Sequence, residues 1–372
     1  MRILQLLHDR ERGGVQVLAD MIETGLSRHG VSFERAYLFP RPGSPTSTKL
    51  VCALRAARRI WRGDFDALIA YQATASILVG AVGWLRGCQL RIVHQTCTPD
   101  ETAPLVRWID KLVGALGLYS TNIANSTATW AEFVRYPVSY RRAMILIEHG
   151  LDAPAPRRHR EEARRHFGLP LSRQLLLNVG RLAPQKNQAL LIRALVKLPH
   201  AHLVLAGAGL EFDACRALAV ALGVNDRVHM LGALAPGDIA DLYLAADLFV
   251  FPSRWETFGI AAAEAAMVGA PMVVADLPVL REVLRADGEA PVRFVAPSDV
   301  DGWTSAIRAA LTAPPPQQVT ATFARTIRRR YSLQRMIESY LSLLDERVKR
   351  RQGDQEPARW RSAAQATEEA RR

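Results

Sequence analysis

Short apolar strands alternate with amphipathic helical patterns through most of this chain, and the series runs twice. In the first 150 residues the candidate strands are 2–7, 32–38, 67–71, 90–94, 121–125 and 143–148. Helical patterns separate them, such as 15–28 closed by Gly30 and 49–62 closed by Gly63. Strands joined by crossover helices pair in parallel, so this alternation specifies a doubly wound α/β domain. Residues 151–160 break the pattern with two prolines and a basic run, and are expected to be a linker. A second series then follows at 174–179, 201–206, 227–231, 247–251, 271–275 and 292–295. The expected architecture is α/β: two doubly wound, Rossmann-like domains, 1–150 and 161–325, facing each other across a cleft. Ligands of such domains bind at the carboxyl ends of the strands. Three prolines at 314–316 precede two further helical patterns, and the polar, aperiodic tail 351–372 is expected to be disordered.

The stretch from Phe249 to Pro271 concentrates the chemistry. An apolar strand ends at Pro252, a polar turn carries Glu256, and a small-residue helix carries Glu264. Between the two acids lie Thr257, Phe258 and Gly259, whose N–H groups stand at the start of that helix. A helix start offers unpaired donors and partial positive charge, and suits a phosphate. A second strand end supplies Gly180, Arg181 and Lys186 in the run 178–187. A guanidinium and an ammonium this close can neutralise a diphosphate without a metal; the other reading is a solvated basic loop.

Other strand ends are less specific. Gly13-Gly14 opens the first helix, either as an ordinary turn or to let the backbone approach a ligand. His94 ends a strand and is either a core histidine or a site residue. Gly207-Ala-Gly209 is a further glycine turn, and Asp64-Phe65-Asp66 is read as a cap and turn rather than a cation site. The four cysteines have no CxxC spacing, so neither a metal nor a disulfide is expected.

The formal net charge of +12 fits an anionic partner. The basic residues are scattered through both halves without an aromatic-lined groove, so nucleic acid is not expected. Arg55, Arg58, Arg59, Arg62 and Trp61 share helix 49–62, either as a solvated face or as a contact with an anionic bilayer. No apolar run is long enough to span a membrane, and the apolar start is too short for a signal peptide. The expected location is the cytoplasm, with the inner membrane face as the alternative.

These motifs resemble the retaining glycosyltransferases of the GT-B fold, family 4. The run 252–264 is similar to that family's E-x-F-G-x-x-x-x-E signature. Gly13-Gly14, His94, 147–152, 179–182 with Lys186, 205–209, 229–232 and 275–283 follow in the family's order. One departure is His149, where the family has Asn. The resemblance implies a metal-independent hexosyltransferase, without a cofactor, that uses a nucleotide-diphosphate sugar. It implies that Glu264 holds the ribose and that the N–H groups of Thr257, Phe258 and Gly259 hold the diphosphate. Arg181 and Lys186 would stabilise the leaving group, Glu256 would contact the donor sugar, and His94 would reach that sugar from the opposite domain. It also implies that residues 326–350 return to the first domain. A lipid-linked glycan is the expected acceptor. A sugar phosphorylase of the same fold and a non-catalytic sugar-nucleotide-binding protein are the alternatives.

Overall fold

The computed structural model describes residues 1–10, 13–40, 46–286 and 288–351, without the side chains of 46, 47 and 347–351. Of the tail expected from 351, only Arg351, the end of a helix, is described; the rest lies outside these residues.

The first sheet is built from Arg2–Leu7 (β1), Ser32–Tyr37 (β2), Ala67–Tyr71 (β3), Leu90–His94 (β4), Thr121–Ala124 (β5) and Met144–Leu146 (β6). The second contains Gln174–Val179 (β7), Ala201–Ala206 (β8), Val228–Gly232 (β9), Leu248–Phe251 (β10), Met272–Ala275 (β11) and Val292–Val295 (β12). Every pairing is parallel, in the orders β2-β1-β3-β4-β5-β6 and β12-β11-β10-β7-β8-β9. The winding direction reverses between β1 and β3 in the first sheet and between β7 and β10 in the second. Loops diverge at such a reversal and leave a crevice beyond the strand ends. Strands β3 and β4 are buried along their whole length because helices cover both faces; β3 therefore reads as an unbroken apolar run, while β4 also buries Arg91 and His94.

The chain crosses between the domains twice, and the crossings touch. Leu151 N–H donates to the Tyr331 carbonyl (2.8 Å), and Leu333 N–H to that of Leu151 (3.3 Å). Helix Gln317–Arg330 packs on helix Ile260–Met267 of the second domain, so the return begins at Ser332 and not at 326. Helix Leu333–Arg351 then buries Met336, Ile337, Tyr340 and Leu344 in the first domain's core. It lies so close to helix Gly14–Ser27 that a Cβ at Gly25 would come within 2.3 Å of Ile337 Cδ1. The basic linker is pinned to the second domain: the N–H groups of Arg157 and Arg158 donate to buried Asp241 (2.6 and 3.0 Å), and the Arg158 guanidinium adds an ion pair at 2.6 Å.

Candidate active site

The loops that follow β7 and β10 are tied to each other at the second domain's reversal point. Gln185 Nε2 donates to the Trp255 carbonyl (3.0 Å), and Arg254 N–H to the Gln185 carbonyl (2.8 Å). Asn187 has a left-handed backbone (φ 56°), and its amide donates to the carbonyls of Pro252 (3.2 Å) and Pro297 (2.9 Å). These ties bring Lys186 Nζ to 2.5 Å from Glu256 Oε1, with the ammonium also 5.1 Å from the centre of the Phe251 ring. Both side chains are largely shielded from solvent, 17% and 7% exposed, so each charge depends on the other or on a ligand.

Gly207 and Gly209 turn out to support this loop. A Cβ on Gly207 would fall 1.9 Å from the Gly180 oxygen, and one on Gly209 2.3 Å from the Leu182 oxygen. Leu182 N–H donates to the Ala208 carbonyl (2.9 Å). The glycine turn thus buttresses the backbone that carries Gly180 and Arg181.

Helix Ile260–Met267 is capped by Gly259, whose φ of 86° and proximity to Leu280 exclude a side chain. With the cap there, Ile260 and Ala261 supply the first unpaired helical N–H groups beside those of 257–259. Glu264 lies on the fifth residue of this helix and accepts from Tyr243 Oη (2.9 Å). Burial pushes its carboxyl above the ordinary carboxylate range, and the Tyr243 hydrogen bond opposes that shift. Phe258 is buried edge-on against His149 (4.8 Å) and Tyr331 (5.1 Å) and anchors the turn to the interdomain crossing.

The first domain meets this assembly directly. A Cβ on Gly13 would lie 3.5 Å from Arg181 Nε, and one on Gly14 3.4 Å from Ile260 Cδ1, so the glycine pair faces the basic loop and the helix start together. After β5, Ser126 Oγ and Thr129 Oγ1 both donate to the Thr257 carbonyl (3.1 and 2.9 Å), and Asn125 Nδ2 donates to Thr257 Oγ1 (3.3 Å). Glu282 returns the contact: its carboxylate accepts the N–H groups of Thr127 and Ala128, at 2.8 Å each. Asn125, Ser126, Thr129, Glu282 and Tyr243 were not anticipated from sequence. The readable signal was a polar Asn-Ser-Thr run at a strand end, where a capping serine starts a helix. Gln72 (φ 71°) was also missed; it follows β3 at the first domain's reversal point, as Asn187 follows β7 in the second.

His94 does not stand open to the cleft. Only 2% exposed, it stacks on Tyr71 (4.8 Å), and its Nε2 is 3.1 Å from Tyr340 Oη. The returning helix supplies that tyrosine and encloses the ring. Burial, with a smaller contribution from His149, lowers its pKa to about 3, and it is neutral. Among the described residues no three His, Cys, Asp or Glu side chains converge as they would around a metal ion. In the Asp64–Asp66 turn, Asp66 accepts the Arg2 N–H (2.8 Å).

Residues 159–327 match the family model for glycosyl transferases group 1. A D-inositol 3-phosphate glycosyltransferase of Mycolicibacterium paratuberculosis is 34% identical over 204 residues, covering 52% of this chain and 46% of that protein. One from Corynebacterium urealyticum is 30% identical over 240 residues, covering 59% and 56%. The chain thus spans about half the length of the curated relatives it matches. Among solved structures, Anabaena Alr3699/HepE in complex with UDP and glucose superposes with a TM-score of 0.76 at 21% identity, covering 93% of this chain and 99% of that one. WaaG, a glycosyltransferase involved in lipopolysaccharide biosynthesis, does so with a TM-score of 0.70 at 17% identity, covering 92% and 99%. At these identities the superpositions establish the fold. The second domain of this chain is thus similar to the glycosyl transferases group 1 over residues 159–327, and the chain as a whole has the GT-B fold.

Proposed function

We propose that this chain is a retaining, metal-independent glycosyltransferase that moves a hexose-type sugar from a nucleoside diphosphate sugar to a lipid-linked glycan. The observation that carries this reading is the shielded Lys186–Glu256 pair beside Arg181 and the start of helix Ile260–Met267. In this reading Glu264 accepts hydrogen bonds from the ribose diol, and the N–H groups from Thr257 onward receive the diphosphate. As the bond from the sugar's anomeric carbon to the diphosphate oxygen breaks, Arg181 and Lys186 stabilise the charge growing on that oxygen. Glu256, relieved of Lys186, takes a sugar hydroxyl. The acceptor oxygen bonds the oxocarbenium-like carbon on the face the diphosphate leaves, and its proton passes to a diphosphate oxygen. The enclosed His94 is assigned a positioning role, holding β4 against the returning helix.

The acceptor half of the proposal draws on the first domain's surface. Helices Thr46–Arg62, Ala73–Leu85 and Pro104–Ala115 pack side by side and leave Leu50, Leu54, Trp61, Trp84, Leu105 and Trp108 exposed. Arg55, Arg58 and Lys111 are exposed beside them, whereas Arg59 is held by Glu34. Exposed indoles among cations suit the interface of an anionic bilayer, which supports a reaction at a cytoplasmic membrane face. Among the described residues no helix is long and apolar enough to cross a membrane.

A thermal-shift screen over nucleotide sugars tests the donor. A ligand of the folded state raises Tm, and UDP- or GDP-hexoses are expected to do so. Nucleotide release on adding acceptor then establishes transfer; consumption of inorganic phosphate without nucleotide release would replace transfer by phosphorolysis. For the acceptor, Trp61→Ser with Trp108→Ser is expected to cut retention on anionic vesicles roughly tenfold. Unchanged retention would remove the membrane from the proposal.

A further inference from the structure

Beneath the exposed face of helix Pro104–Ala115 lies a buried carboxylate that the proposed transfer reaction does not use. Asp110 is 3% exposed and accepts from Tyr119 Oη (2.7 Å) and Tyr140 Oη (2.8 Å). Among the described residues no cation contributes to its electrostatic surroundings. On the same helix Arg107 pairs with Asp100 (3.0 Å), and Lys111 lies over the ring of Tyr136 (5.4 Å). Tyr136 in turn packs edge-on against Tyr140 (4.7 Å). The bonds continue into the sheet: Gln95 Nε2 donates to both Tyr140 Oη and Asn122 Oδ1, at 2.9 Å each. Gln95 is the first residue after β4, and its own N–H is fixed on the Ile123 carbonyl (2.9 Å).

Counting hydrogens shows that this network has two forms. Both phenol hydrogens are spent on the carboxylate, which is the arrangement of its ionised form. Two amide atoms are left over. Asn122 Nδ2 is sealed from solvent without a hydrogen-bond partner among the described residues. Gln95 Oε1 takes part in none of these bonds and is not among the sealed atoms, so it keeps contact with solvent. A proton added at Asp110 reverses the order. The new O–H donates to Tyr140 Oη, whose own hydrogen then needs another acceptor. The rings cannot retreat, because they lie so close to their neighbours that a Cβ at Gly114 would overlap Tyr140 and one at Gly80 would overlap Tyr119. An end-for-end turn of the Gln95 amide supplies the acceptor, with Oε1 against Tyr140 and Nε2 in solvent. Asn122 turns with it and gives its unpaired Nδ2–H to the same oxygen. The buried donor is thereby paired, and a carbonyl oxygen, the better tolerated orphan, takes its place.

We propose that Asp110, Tyr140 and Gln95 form a proton-linked relay that sets which end of the Gln95 amide faces solvent beyond β4. With Asp110 ionised the strand end shows a hydrogen-bond acceptor; with Asp110 protonated it shows a donor. The backbone stays in place, because the Gln95 N–H remains on Ile123 in both forms. Ligands of doubly wound domains bind beyond the carboxyl ends of the strands, so the exchange changes which polar group of a ligand the first domain can meet there. Burial raises the Asp110 carboxyl to about 6, against the opposing effect of the two phenols, and this puts the exchange at roughly pH 5 to 7. The relay stands apart from both the transfer reaction and the membrane contact.

Side-chain amide NMR spectra of the full chain, made with isotope-labelled glutamine, test it; the Gln95 signals are assigned by their loss in Gln95→Met. Protection of that amide from hydrogen exchange is measured against a free glutamine amide at the same pH. Between about pH 7.5 and pH 5 it is expected to fall roughly tenfold or more. Asp110→Asn keeps an acceptor for Tyr119 and supplies a donor to Tyr140, so it is expected to show the low protection at both pH values. Tyr140→Phe cuts the relay and is expected to leave Gln95 indifferent to pH. Circular dichroism confirms the fold of each variant; if Asp110→Asn does not fold, Tyr140→Phe decides alone. The proposal is overturned if Gln95 is equally protected at both pH values in the unsubstituted chain. It is overturned equally if Gln95 still responds to pH in Tyr140→Phe, or if folded Asp110→Asn keeps the high protection.

Discussion

The two reversal points of the molecule are built from the same topology and filled with opposite chemistry. In the second domain, the loops after β7 and β10 gather Arg181, Lys186 and Glu256 around a helix start. In the first domain, the loop after β1 brings Gly13 and Gly14, and β4 beside the crevice ends in a histidine closed off by Tyr71 and Tyr340. One reversal point presents charge; the other presents backbone and packed rings. The difference teaches that the first domain acts on the charged site by gripping it, through Ser126, Thr129 and the Thr127 and Ala128 N–H groups that Glu282 accepts, more than by adding charge to it.

The largest expected effect tests the charged side. Lys186→Ala is expected to lower kcat about 100- to 1,000-fold, the loss typical of one preorganised group on a developing anion. Part of that loss could come from leaving Glu256 buried without its partner. The double variant Lys186→Ala with Glu256→Ala separates the two causes. Recovery of turnover would assign the damage to the orphaned carboxylate, and would end the view of Lys186 as the leaving group's counter-charge.

The gripping side is tested next. Glu282 accepts two N–H groups at the start of helix Thr127–Ala131, a charge-assisted contact across the domains. Its replacement by Ala is expected to lower kcat/KM about 10- to 100-fold, from a loss of roughly 1.5–3 kcal/mol. If kcat/KM is unchanged, the second domain positions its own ligand unaided, and the contrast between a charged half and a gripping half is wrong.

How much of this was legible depends on whether a residue's role is local. Strands β1, β3, β4, β7, β8 and β12 have the limits read from the sequence, because a run of apolar residues bounded by turn formers is local information. The placement of Arg181, Lys186, Glu256 and Glu264 was legible for the same reason: each is a charged group at a fixed distance from a strand end or helix start. Glu282 was not, because a glutamate near the end of a short helix looks like any solvated acid until another domain places two N–H groups on it. The enclosure of His94 was not legible, because nothing near it in sequence announces Tyr340, 246 residues away. The return of the chain was placed too early because helix Gln317–Arg330 carries an apolar stripe that fits either domain. Only the packing of that helix on Ile260–Met267 decides it.

The smallest effect at neutral pH sharpens the comparison from the packed side. His149 stands where the resembling family has Asn, and its Nε2 is 3.0 Å from Asn125 Nδ2. An amide N–H facing that nitrogen requires it to accept, so the ring is held neutral; burial lowers its pKa to about 3, as it does for His94. In the unfolded chain both rings titrate near the ordinary value of 6.5. The unfolded state therefore takes up protons first as pH falls, and stability present above 6.5 is lost on the way down to about 3. Each histidine removes about 2 kcal/mol by roughly pH 5. Asp110 works in the opposite sense: burial raises it from 3.8 to about 6, so its contribution is present below 3.8 and lost as pH rises through about 6. Glu264 is raised by burial in the same sense as Asp110. Burial lowers His202 and His229 as well, however, and Asp241 and Asp276 are held low by arginine partners, so the chain is expected to weaken on acidification. His149→Asn keeps an acceptor for Asn125 and removes one titrating ring. Its acid-unfolding midpoint, followed by circular dichroism, is expected to move to lower pH with little change in stability at pH 7.5. Should the midpoint stay where it is, the packed rings of the first domain are not held neutral by their burial, and the contrast with the charged reversal point loses its electrostatic basis.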